Sequence, residues 1–231
     1  MPNFFCQLGD LLYALGGCQP AVPPPPPPVG ASPFTVALVN RSTVVSSAQL
    51  AQLATDLQTQ LFEDVQPLWG SAAQVVVRQP QAGDWVLYIE DDSTIPGAGG
   101  YHEDVNGVPT GHVFARTVGS RWTLVASHEL IEMLVDPRTN MIVSVDNDQA
   151  GTSGTEYYAE ACDAVEQAGY QKGQTTVSDF VGPAWFDPLD KTGPYDFLRK
   201  LSAPLELLPG GSYIGTRTFT SPGWSQKTAQ K

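Results

Sequence analysis

The sequence predicts an α/β (α+β) domain: a mixed sheet with one helix packed on a face and a second helix carrying the polar groups of a site. Three observations lead there. Short β-branched runs and a leucine-spaced stretch follow one another as strand, helix, strand, strand, an order that suits a mixed sheet covered by a helix. An Asn106-Gly107 pair between two extended runs is a strong hairpin signal. A later stretch, Ser127-His128-Glu129-Leu130-Ile131-Glu132-Met133-Leu134-Val135-Asp136-Pro137, sets apolar residues and ionisable ones on adjoining arcs of one helix.

Taken in order, residues 1–19 carry Phe4, Phe5, Leu8, Leu11, Leu12 and Leu15 at near-helical spacing and are expected to act as a docking peptide. Residues 20–32 follow as a linker. Its six consecutive prolines, Pro23 to Pro28, favour polyproline II, a stiff spacer of about 3.1 Å per residue. Such a rod holds the peptide away from the main domain, so a larger protein assembly is the expected partner of residues 1–19. Leu15-Gly16-Gly17-Cys18 has the look of a lipobox, but no basic region precedes it and Asp10 interrupts its apolar part, so no cleaved signal is expected.

The folded domain is expected over 33–217, with a polar, frayed tail over 218–231. Residues 35–39 read as a buried strand. From Ser46 or Ser47, both good N-caps, Leu50, Leu53, Leu57 and Leu61 mark a helix expected to stop before Pro67 and Gly70. Residues 73–78 and 84–89 are two further strands, with Gly83 in the turn between them. After a Gly-rich loop, residues 101–105 and 112–117 form the hairpin, and its outer strand offers unpaired backbone groups to an extended peptide. His102 and His112 lie in it, either as extra ligands or substrate contacts or as ordinary strand histidines. The polar-flanked helix starts near Ser120. Beyond Pro137, residues 141–145 and 176–181 are strands, and the structure of 156–166 is left open.

The chemistry concentrates on the second helix. Leu124, Ile131, Leu134 and Val135 fall within an arc of roughly 100°, and His128, Glu129, Glu132 and Asp136 occupy the neighbouring arc. One imidazole and three carboxylates beside an apolar stripe are costly to bury without a compensating positive charge. A divalent metal ion is the simplest one, although a surface helix with ordinary solvated charge fits the same pattern. His128 and Glu132 are four residues apart, about 6 Å along one face, and can reach a single ion. Glu129 would then stand beside the ion's water as general base. The downstream Glu160-Ala161-Cys162-Asp163 can complete the site, with Glu160 as third ligand and Asp163 accepting the other ring N–H of His128. Cys162 is a rival ligand or a small buried residue. Asp136, about 12 Å along the axis from His128, reads as a structural carboxylate at the helix end or a ligand of a second site.

Composition narrows the partners. Among 231 residues, 12 are basic and 24 acidic, a formal charge of −12. Clustered Lys and Arg are missing, so no nucleic-acid partner is expected. No apolar run approaches the roughly 20 residues of a membrane span. Three cysteines are too few for a disulfide framework.

This layout, with its H-E-x-x helix and later Glu followed by an Asp, resembles the zincin fold of metallopeptidases, the gluzincin pattern in particular. His-Glu-Leu-Ile-Glu-Met-Leu-Val-Asp-Pro, Glu-Ala-Cys-Asp, Val-Ser-Asp-Phe-Val-Gly-Pro-Ala-Trp-Phe and Leu-Leu-Pro-Gly-Gly are similar to a bacterial and phage family of zincin-like proteins, from about Thr35 to Tyr213. The resemblance implies a zincin-like mixed sheet, a metal at His128, Glu132 and Glu160, and a peptide or protein substrate. The helix H-E-x-x-E-x-x-x-D-P with a later E-x-x-D is also similar to that of certain secreted proteins, whereas the charge balance and the weak leader signal favour a soluble protein, cytoplasmic or virion-associated, over a secreted one. Glu132 stands where zincins have a second His. Zinc is the first expectation, and the oxygen-rich set moves preference toward manganese or calcium. The alternative of another class is a zincin-like binding or structural module without catalysis, anchored by its N-terminal peptide.

Overall fold

The computed structural model describes residues 34–93, 95–146, 153–221 and 223–229; the expected docking peptide and polyproline linker lie outside these residues. The first half is one mixed sheet of five strands: β1 (Phe34–Asn40), β2 (Ala73–Val77), β3 (Trp85–Glu90), β4 (Gly100–Val105) and β5 (Val108–Phe114). Its spatial order is β2-β1-β3-β5-β4. β1 is parallel to β2 and β3, β3 is parallel to β5, and only β4 runs antiparallel, which puts it on the outer edge.

The hairpin turn is Asn106-Gly107, both at positive φ (55° and 86°), the geometry a two-residue primed turn requires. It makes β5 start at Val108, four residues before the expected strand, and residues 115–118 are helical instead of extended. Pro109 is tolerated because it precedes Thr110, where pairing to β3 begins.

Helix α1 (Ser47–Gln60) is capped by Ser46, whose Oγ accepts the Gln49 N–H while Gln49 Oε1 accepts the Ser46 N–H at 2.9 Å, a reciprocal capping box. The helical run does not stop before Pro67. It widens into a π turn over Leu61–Val65 and continues through Gln66–Trp69, where proline sits in a first turn that needs no N–H from it. Leu50, Leu53, Leu57 and Leu61 pack on Val36, Leu38, Leu87 and Ile89, the alternate residues of β1 and β3. Ala37, Val39 and Val86 face the other side in a small separate cluster.

Helix α2 (Trp122–Val135) differs from an amphipathic surface helix. Twelve of its 14 residues are buried, His128, Glu129 and Glu132 among them, because it lies between β4 and β5 on one side and β9 (Thr175–Ser178) on the other. Ordinary solvated charge is therefore excluded for its polar flank. The second half forms an antiparallel sheet, ordered β11-β10-β7-β6, from β6 (Ile142–Asp146), β7 (Gly154–Tyr158), β10 (Tyr213–Thr218) and β11 (Ser225–Thr228), with the β8 (Gly169–Lys172)–β9 hairpin beside it. A second core gathers there around Trp185, Phe186, Tyr195 and Ile214. The segment expected as a tail thus supplies a strand: β11 pairs with β10 over four residues, and Trp224 stacks on Tyr158 at 3.8 Å.

Candidate metal centre

Four pieces of backbone converge on one cavity. α2 contributes His128, Glu129 and Glu132; β4 contributes His102; the segment after β7 brings Glu160 and Asp163, with Tyr213 from β10 beside them. The cavity measures about 300 Å³, and among the described residues no Lys or Arg lines it. The segment after β7 is fixed by main-chain bonds on both sides, Ala159 N–H to Met141 O at 3.1 Å and Val181 N–H to Ala161 O at 2.7 Å. The Cys162 N–H also donates to Glu132 Oε1 at 3.0 Å.

That last bond orients Glu132. With Oε1 engaged, Oε2 points at His128 Nε2, 3.1 Å away. Asp163 Oδ1 lies 3.4 Å from the same Nε2. Asp163, expected on the ring nitrogen away from the ion, here flanks with its Oδ1 the Nε2 that Glu132 Oε2 also faces. Separations of this size match neighbouring ligands around an ion with bonds of about 2.0–2.2 Å, so the donors fit a divalent cation. Tyr213 lines the cavity with Asp163.

On the opposite wall, His102 Nδ1 is 3.7 Å from Glu129 Oε2 and 3.8 Å from Glu132 Oε2. Its Nε2 is 3.8 Å from Glu160 Oε2. Among the described residues neither His102 Nε2 nor Glu160 Oε2 has a hydrogen-bond partner, although both atoms are buried. Two groups of ligand-type side chains close to within 4.8 Å among the described residues: His128, Glu132 and Cys162, and His102, Glu129 and Glu132. Glu160, expected beside His128, belongs to neither and faces His102.

Cys162 is fully buried, and its thiol lies 3.8 Å from the His128 carbonyl. Burial pushes the thiol well above its usual range and keeps it neutral. Asp136 closes the helix: its Oδ2 accepts the Met141 N–H at 2.7 Å, and its backbone ties the turn through Thr139. His112 lines neither hollow described here; it contacts Glu90 at 2.9 Å and stacks on Tyr101.

The pocket is strongly anionic. Burial opposes charge on His102, yet Glu129, Glu160 and Glu132 outweigh it and raise its pKa to about 10. His128 is held well above its usual value against burial, chiefly by Glu132. Burial first, then Glu132, pushes Glu160 up, and the same two causes raise Asp163 to about 6. Each group pulls positive charge, protons or a cation, toward the same few ångströms.

Glu129 also touches the edge strand. A Cβ on Gly100 would fall 2.6 Å from Glu129 Oε1, so only glycine lets β4 lie this close to the helix. Past Gly100, Glu129 and Tyr213 a second hollow of about 350 Å³ continues the cleft, walled by Val125, Glu166, Gln226 and Thr228 with Arg121 at its rim. Sequence reasoning left His102 undecided and gave Tyr213 no role. The signal for His102 was its place on the hairpin directly before the helix; for Tyr213 no spacing pointed to the site. Comparison with family models, characterised proteins and solved structures finds no match for the chain.

Proposed function

We propose that the chain is a divalent-metal-dependent hydrolase of zincin-like type that cleaves peptide bonds. The observation that carries this reading is the 3.1 Å approach of His128 Nε2 to Glu132 Oε2 inside a buried, cation-demanding cavity, with Glu129 on the same helix. His128 and Glu132 would hold the ion, with Asp163 supplying a further carboxylate and Glu160 standing across the cavity beside His102. A bound zinc, or a manganese or calcium ion in its stead, supplies Lewis-acid polarisation and an acidified water.

The remaining work falls to the chain's own groups. Glu129, only 5 % exposed, is the proton acceptor, and its burial keeps it from solvent competition. Glu132 is locked in its rotamer by the Cys162 N–H, so the imidazole of His128 is oriented without help from substrate. β4, outermost in its sheet, offers backbone N–H and C=O groups to an extended substrate chain. The hollows on either side of Glu129 give that chain room before and after the bond to be cleaved.

A mixed peptide library incubated with zinc- or manganese-loaded protein tests this, with cleavage read by mass spectrometry. Wild type is expected to cut. Glu129→Gln is expected to retain its metal and lose at least about 10²-fold in rate, the scale of a general base. Undiminished cleavage by the variant overturns the assignment of Glu129.

A further inference from the structure

We propose that the cavity is a two-ion centre, in which His102 supplies the nitrogen ligand of a second divalent cation and Glu132 is shared between the two. The proposal rests on the metal reading above but not on peptide hydrolysis. Three observations carry it.

Glu132 Oε2 stands between two imidazoles that do not belong to one ligand group. It is 3.1 Å from His128 Nε2 and 3.8 Å from His102 Nδ1. The two triples that close to within 4.8 Å, one containing each histidine, have Glu132 in common. A carboxylate in that position is a natural bridge, because its two lone-pair directions serve two cations.

The second half-site is complete and underused. His102, whose side chain is 5 % exposed, meets Glu129 Oε2 at 3.7 Å through Nδ1, and its Nε2 faces Glu160 Oε2. Both of those last atoms are buried without a hydrogen-bond partner, a cost the fold would not carry for nothing. With a cation at Nδ1, the Nε2–H points to Glu160, which then fixes ring and tautomer as a carboxylate behind a ligating histidine does. Glu129 Oε1, turned toward Gly100, is left for the proton.

Charge points the same way. Four carboxylates, Glu129, Glu132, Glu160 and Asp163, line a cavity that no Lys or Arg of the described residues lines. With both imidazoles neutral, as ligation requires, and all four carboxylates ionised, one divalent ion leaves about two negative charges uncompensated and two divalent ions balance all four. Each ion receives one nitrogen and at least two carboxylates, a set suited to manganese or zinc.

The test is metal stoichiometry on the full chain, by titration calorimetry with Mn²⁺ and elemental analysis of the loaded protein, with far-UV circular dichroism to confirm folding. Wild type is expected to take two equivalents and to give the exchange-coupled electron paramagnetic resonance signal of paired Mn²⁺. His102→Gln and His102→Ala are both expected to take one and to show an uncoupled signal. One equivalent in wild type, kept by the His102 variants and lost in His128→Ala, overturns the second ion while leaving the first. One equivalent lost in both sets also overturns it, making His102 a ligand of a single ion. No binding by wild type overturns both readings.

Discussion

Replacing Gly100 by alanine asks whether the edge strand and Glu129 are fitted to each other. The added methyl would lie 2.6 Å from Glu129 Oε1, 2.7 Å from Val125 Cγ1 and 2.8 Å from the His112 carbonyl. Ordinary contact needs about 3.5 Å, so each approach is short by roughly 0.7–0.9 Å. Backbone conformation adds nothing, since Gly100 is not at positive φ. The His112 carbonyl cannot retreat without loosening the β4–β5 ladder, in which Tyr101 pairs with His112. Overpacking of this kind costs about 1–3 kcal/mol. Urea denaturation should show a lower midpoint at unchanged slope. In a double-mutant cycle with Glu129→Ala, removing the carboxylate should relieve part of the clash, giving a coupling of about 0.5–3 kcal/mol in the favourable direction. Gly100→Ala within about 0.5 kcal/mol of wild type, or strict additivity with Glu129→Ala, refutes the claim that the strand is seated on the carboxylate.

Three other variants probe the supports of the site. Ser127→Ala removes an Oγ that donates to Gln60 Oε1 at 2.7 Å and accepts the Ser178 N–H at 2.9 Å, both buried, so roughly 2 kcal/mol or more of stability should be lost in chemical denaturation. Tyr213→Phe deletes a hydroxyl that lines the cavity with Asp163 and should weaken metal binding about 10-fold by calorimetry, with little change in melting temperature. Asp179 is buried, and burial together with the neighbouring Asp196 raises its pKa from 3.8 to about 7. A carboxyl raised in the folded state favours folding below its unfolded pKa, and that contribution is lost as pH rises through the folded one. Asp179→Asn should therefore gain stability relative to wild type as pH goes from about 4 to about 8, on the order of a few kcal/mol; parallel pH profiles contradict a titrating Asp179.

The parts of this fold legible in sequence are those set by local chemistry. Asn106-Gly107 specifies its turn through positive φ, Ser46 and Gln49 specify a helix start, and the apolar runs of β1, β2 and β3 specify strands. The pairing of His128 with Glu132 follows from four-residue helical spacing alone, and the structure brings their side chains together. What escaped was set by tertiary placement. Apolar periodicity suggested a one-sided helix, but α2 is enclosed by β4, β5 and β9, and only that enclosure makes its charges costly. Ser225–Thr228 has no apolar residue, since its strand character comes from pairing to β10 rather than from burial. Which ring nitrogen of His128 Asp163 faces depends on how the segment after β7 approaches the helix, and sequence spacing carries no information on that. His102 is separated from His128 by a hairpin and a helical turn, and only the antiparallel register of β4, which sets His102 opposite Gly111, brings its imidazole to Glu132.

The most direct measurement is the divalent-metal content of the purified full chain, wild type beside His128→Ala, by inductively coupled plasma mass spectrometry. At least one zinc or manganese per wild-type chain, with at least one fewer in the variant, is the expected result. Equal metal content in the two proteins, or none in either, contradicts a metal centre built on His128 and Glu132.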